Sequence, residues 1–167
     1  MTVPFSWALV LLDEIPGINR VGAEEIIAET GGSMEAFPSS SHLSSWAGIA
    51  PGNNESAGKK RSTRIRDGNK WLTSTLVEAA WGAGRTKKSY FYAKYHSLSA
   101  RRGRKRALIA IGHSLLTAAY FILKYNVPVR DIGVDYYDKG KEIKIKAVLV
   151  KKLEKIGYSV SLDKVAS

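Results

Sequence analysis

Residues 107–123, ALIAIGHSLLTAAYFIL, form the most extended predominantly apolar run in the chain, and their reading decides the fold class. The run falls short of the ~20 residues that a bilayer span requires, and Gly112, His113, Ser114 and Thr117 interrupt it. It is therefore expected to be the buried core helix of a mostly α-helical, compact domain, closed at its end by Asn126, Val127 and Pro128.

Helical spacing continues on the amino-terminal side of this run. Residues 70–83 place Leu72, Leu76, Ala80 and Ala83 on one face, and a further helix is expected to begin at residues 90–96 after a basic turn at 85–88. Residues 39–49 read as a helix with serines as its cap and Leu43, Trp46, Ala47 and Ala50 on its apolar face. Near the start, residues 5–14 form a short helix stopped by Ile15, Pro16 and Gly17, and residues 23–29 form a second, closed by Gly31 and Gly32.

The turn between these two, IPGINRVGA at 15–23, has the pattern of a helix-hairpin-helix corner. Such a corner aims backbone N–H groups outward at a phosphate oxygen, which makes Gly17, Asn19, Arg20 and Gly22 candidate nucleic-acid contacts. The alternative is a corner that only packs. Glu24, Glu25 and Glu29 repel phosphate unless they point away, which leaves Arg20 to supply the charge.

Charge is distributed as unevenly as hydropathy. The 167 residues carry a formal net charge of +11. Residues 1–55 hold seven carboxylates and Arg20 as their only base, whereas residues 59–106 hold fifteen Lys and Arg against Asp67 and Glu78. A stripe this one-sided is the electrostatic footprint of a nucleic-acid surface; the alternative is a soluble basic face without a partner. Within it, Arg101, Arg102 and Arg104 precede the core helix and are placed to meet backbone phosphates without reading sequence. Tyr90, Phe91, Tyr92 and Tyr95 alternate with Lys87, Lys88 and Lys94 and either stack on unpaired bases or pack in the core.

The absence of cysteine excludes disulfides, thiolate zinc sites and cysteine nucleophiles, and fits a reducing compartment. With no secretion signal and no membrane span in view, a cytoplasmic protein is expected. His42, His96 and His113 are too scattered for a metal site, and His113 reads as a core histidine.

Residues 51–62, PGNNESAGKKRS, are too rich in turn formers for helix and too polar for a central strand, so an irregular Gly/Asn/basic loop is expected. Residues 64–69 extend it as a short hairpin arm ended by Gly68. The loop brings together a hydroxyl (Ser56), neutral donors (Asn53, Asn54) and cations (Lys59, Lys60, Arg61), with Arg64, Arg66 and Lys70 beyond. A serine attacking a phosphodiester needs exposure, donors for the phosphate oxygens and positive charge for the transition state. Two readings stay open from the residues alone: Ser56 as a nucleophile, or Ser56 as a turn residue in a DNA-touching loop.

Four ordered landmarks bear on that choice: IPGI at 15–18, HLSSWAGIAPGNNESAGKK at 42–60, RDGNKWL at 66–72, and a basic turn centred on Gly103 before an Ala-rich helix. Together, over residues 13–125, they resemble the transposase domain of the IS110/IS116/IS902 insertion-sequence family. The resemblance implies that Ser56, in the PG-x-x-x-S-x-GK stretch, is the nucleophile of a recombinase that links covalently to DNA and exchanges strands under the direction of a structured guide RNA. It also implies a homo-oligomer and an amino-terminal RuvC-like domain contributing acidic residues and a divalent metal, Mg. That domain is not among these residues, so the fragment by itself is expected to be inactive, with no cofactor of its own and no metal ligands. Thr73 stands where relatives often carry a basic residue.

The expected organisation is a helical domain over 1–135, comprising the hairpin corner 5–31, the serine loop 50–69 and basic helices over 70–126. A tail follows over 136–167, with a helix at 142–156 and a short strand or extended arm at 158–162.

Overall fold

The computed structural model describes residues 5–50, 54–56, 59–62, 67–128 and 130–162. In chain order its elements are α1 (Ser6–Asp13), α2 (Arg20–Thr30), α3 (Ser40–Trp46), strands β1 (Asn54–Ser56) and β2 (Lys59–Ser62), α4 (Lys70–Ala83), α5 (Tyr90–Arg102), α6 (Arg104–Tyr125) and α7 (Gly133–Lys155). The domain is mostly α-helical, as the periodicity predicts.

Short polar residues start most of these helices. Asn19, Ser39, Asn69 and Ser89 cap α2, α3, α4 and α5, each accepting from the N–H three residues on, an interaction typically worth about 1 kcal/mol. The apolar run lies in α6, the axis of the bundle, which packs against α1, α3, α4 and α5. Ile111, Leu115, Leu116 and Ile122 are completely buried there, and each contributes about 1.5–3 kcal/mol. A surface ion pair adds only tenths of that, so the core and not the charge pattern holds the bundle. At 22 residues α6 is long and apolar enough to cross a membrane, yet more than half of its most apolar stretch is buried inside the fold. Its one large polar core group is satisfied: the Tyr120 hydroxyl lies 3.2 Å from the carbonyl oxygens of Phe37 and Pro38.

The amino-terminal corner is clamped to this bundle at α4. Gly17 (φ 93°) lies so close that a Cβ on it would stand 2.2 Å from the Ala79 carbonyl oxygen. Only glycine fits both the backbone angle and the space. Glu25 and Glu29 on α2 turn toward the same helix, where Glu25 accepts from the Thr75 hydroxyl and Glu29 from the Asn69 side-chain amide.

Three local expectations are corrected, and one alternative is narrowed. The segment expected to be an irregular loop contains an antiparallel pair, with Asn54 opposite Ser62, Glu55 opposite Lys60 and Ser56 opposite Lys59, and a bulge between Asn54 and Glu55. Backbone pairing across a short turn satisfies N–H and C=O groups whatever the side chains, so a polar hairpin carries no hydrophobic alternation to read. Helix α2 begins at Arg20 and not at Ala23, because the Asn19 cap recruits Gly22 into the first turn at 2.8 Å. Helix α7 begins at Gly133, nine residues before Glu142, where Asp131 accepts from both Gly133 N (2.8 Å) and Tyr90 N (3.0 Å). Of the two alternatives for residues 158–162, the strand does not form.

Candidate nucleic-acid interface

The serine hairpin is held at its base by packing. Beyond the end of α3 the described chain runs to Ala50 and resumes after the hairpin at Asp67, and a Cβ on Gly68 would stand 2.3 Å from the Gly48 nitrogen. Thr73, on the first turn of α4, donates its hydroxyl to the Ala47 carbonyl at 2.8 Å and so ties α4 to the end of α3. Ser56 ends β1 in register with Lys59, and Lys60 and Arg61 continue along β2. Asn54 opens β1. Asn53, Arg64 and Arg66 lie outside the described residues. Lys70 is exposed at the start of α4.

The corner candidates are distributed differently from the expected outward-facing turn. Gly17 is against α4, and Gly22 N is taken by Asn19 Oδ1. Arg20 is exposed but donates to Glu24 at 3.0 Å, one turn along α2.

A second basic surface forms where α5 ends and α6 begins. Arg101, Arg102, Arg104, Lys105 and Arg106 are all exposed across this turn. Among the described residues, no carboxylate lies within ion-pair distance of any of them. Arg104–Arg106 crowd the positive end of the α6 dipole, a placement that costs stability unless an anion offsets it.

The aromatic cluster divides between core and surface. Phe91 and Tyr95 are buried. Tyr90 turns toward α6 and lines a cavity of about 410 Å³ with Lys94, His113, Ser114, Phe121 and Asp131. In it Lys94 donates to the Ser114 hydroxyl at 2.7 Å and lies 5.4 Å from the Tyr90 ring centre. Burial holds the Lys94 ammonium below its usual range, and burial followed by the Lys94 charge does the same to His113. Tyr92 lies on the other side, in a groove of about 550 Å³ with Trp81, Arg85, Lys87, Tyr95, His96 and Arg104. Trp81 and His96 were not singled out as binding residues by the sequence reading. The spacing of Tyr92, His96 and Ser99 along one face of α5 was the available signal.

Among the described residues no group of three or more His, Asp or Glu side chains is placed to hold a metal ion.

A mostly helical domain with an unpaired basic surface fits a protein that handles DNA. The chain belongs to the transposase IS116/IS110/IS902 family, whose model matches residues 10–96, more than half of its length. No curated protein matches the chain. The matched region runs from α1 into α5 and includes the hairpin that carries Ser56. DNA transposition is thus the process in which the chain acts, and DNA is its partner.

Proposed function

We propose that this chain is the serine-bearing domain of an RNA-guided DNA recombinase, with Ser56 as its nucleophile. The Ser56 hydroxyl gives up its proton to a base and its oxygen bonds to the phosphorus of a DNA phosphodiester. The bond from phosphorus to the bridging oxygen of one strand breaks, and that oxygen leaves as a free hydroxyl after taking a proton. Attack by the hydroxyl of an incoming strand reverses the step, rejoins DNA and releases Ser56. Phosphodiester bonds are conserved in number, so no energy source is needed.

The observation that carries this reading is the family match across the hairpin, in which Ser56 stands in register with Lys59 and two further cations follow on β2. Positive charge and N–H donors beside a pentavalent phosphate act where charge accumulates, and one well-placed donor is commonly worth about 10²–10³ in rate. The exposed arginines of the α5–α6 turn hold the DNA backbone. Exchange between two duplexes requires more than one protomer, a structured guide RNA selects the sites, and a RuvC-like domain supplies acidic residues and Mg. Without that domain the fragment does not complete the reaction. The work is done in the cytoplasm.

The test joins the chain to a RuvC-like amino-terminal domain of its family and supplies guide RNA, Mg and labelled donor and target DNA. A protein–DNA adduct that survives denaturation and is lost in Ser56→Ala is the expected result. Recombination by Ser56→Ala at the parent's rate would instead make this chain a nucleic-acid-binding module in which Ser56 only shapes the hairpin.

A further inference from the structure

The groove bounded by the end of α4, one face of α5 and the start of α6 has a composition that duplex-backbone binding does not require. Its wall is a run of rings. Trp81 and Tyr95 have centroids 6.4 Å apart, Tyr95 and His96 meet edge to face at 5.3 Å, and Tyr92 and His96 lie 4.3 Å apart. Tyr92 and His96 are one turn apart on α5 and so share a face. Buried Tyr95 forms the floor, whereas Trp81 is 39% exposed and His96 is exposed. Indole and imidazole surface thus remains open to a ligand after the core has been filled.

The rim is cationic. Arg85 and Lys87 stand on the α4–α5 turn and Arg104 opens α6, all three exposed and none near a carboxylate among the described residues. Among the described residues no acidic side chain lines the groove. The Arg85 guanidinium lies 5.4 Å from the Trp81 ring centre, so a flat cation already covers part of the indole. A duplex in which every base is paired offers phosphates to the rim but nothing to the wall. A base released from its stack offers both, since every base has a π-face and its phosphates follow along the rim. The volume of about 550 Å³ falls within the ~300–1,000 Å³ of ordinary ligand pockets.

We propose that the groove between Trp81 and Tyr92 holds an unpaired base of single-stranded DNA, with Arg85, Lys87 and Arg104 on the flanking phosphates. DNA is the strand expected because strand exchange exposes unpaired DNA. The inference therefore rests on the functional reading above, but its measurement does not require Ser56 to react. Arg85 leaves the indole face when the base enters and takes a phosphate instead.

The purified 167-residue chain is titrated by fluorescence anisotropy with a labelled thymidine 12-mer, a uridine 12-mer and a 20-base-pair DNA duplex. Trp81→Ala and Tyr92→Leu are expected to weaken thymidine 12-mer binding by roughly 5- to 100-fold, the range of one lost base stack. Their duplex affinity should stay within about twofold, because phosphate contacts remain. Trp81→Phe keeps a ring and retains most of the single-strand affinity. Arg104→Gln weakens both DNAs and flattens their salt dependence by about one phosphate. Tyr92→Leu makes the same prediction as Trp81→Ala from a different helix, so a Trp81 variant that unfolds leaves the question decidable.

Equal loss on duplex and single strand, no loss in either aromatic variant, or no DNA binding by the parent would overturn the proposal. Tighter, Trp81-dependent binding of the uridine 12-mer would replace DNA with RNA as the occupant. Running the titration with Ser56→Ala separates the two proposals. Parent-like, Trp81-dependent binding keeps the groove even where the adduct experiment fails, and loss of that dependence removes the groove even where it succeeds.

Discussion

Arg20 donates through its Nε to Glu24 Oε1 at 3.0 Å, pairing the only base of residues 1–55 with an acid on its own helix. Both side chains are exposed, so the pair contributes little to stability, but it offsets the one positive charge that the corner can offer a phosphate. Arg20→Ala is expected to change unfolding free energy by less than about 1 kcal/mol, measured by urea denaturation. Its effect on duplex DNA affinity should be less than about twofold. A loss comparable to that of an α5–α6 arginine would show that DNA separates the pair and recruits Arg20.

The five exposed cations from Arg101 to Arg106 lack acidic partners among the described residues, so their counterions are free to be released by DNA. Arg102→Gln combined with Arg104→Gln is expected to lower the slope of log affinity against log salt by about two on duplex DNA, equally for unrelated sequences. The measurement is a titration at several salt concentrations. An unchanged slope would place the DNA on another face.

Gly17 is where the corner meets the bundle. A Cβ there would overlap the Ala79 carbonyl oxygen at 2.2 Å and sit on a backbone with φ 93°. Gly17→Ala is expected to cost roughly 2–4 kcal/mol, the sum of overpacking against backbone and a left-handed alanine. A urea midpoint unchanged from the parent would mean that the corner lifts from α4 at little cost.

Lys94 and His113 share one cavity, and burial lowers the pKa of both, with the Lys94 charge acting further on His113. The folded protein therefore holds His113 neutral where the unfolded chain, at the ordinary value near 6.5, takes up a proton. Stability from this group is complete above that ordinary value and is lost as pH falls through the lower, folded value. Lys94→Met removes the nearby cation and should raise the His113 pKa toward normal, with burial keeping it below. NMR titration of the His113 ring tests this; a pKa that stays put or falls would show that burial acts alone.

Much of the bundle was legible because it is local. Lys70–Ala83 was bounded correctly by its leucines and alanines, and the start of α3 by its serine cap. The features that were missed depend on distant partners or on backbone pairing. The start of α7 is set by Asp131 reaching Tyr90 N, 41 residues away. The β1–β2 pairing carries no apolar alternation. For the candidate site, the sequence singled out Ser56 and the arginines but not Trp81 or His96, which join the groove from separate helices.

By itself, the sequence determined the helical class, the core run in α6, the uneven charge and the family landmarks, since periodicity, composition and motif order are properties of neighbouring residues. Tertiary structure alone decided which aromatics became core and which became surface. The period of α5 puts Tyr92 and His96 on one face and Phe91 and Tyr95 on another. Only the packing of α4 and α6 against that helix selects the inner faces, because burial depends on which surfaces find an apolar partner, and those partners lie far along the chain.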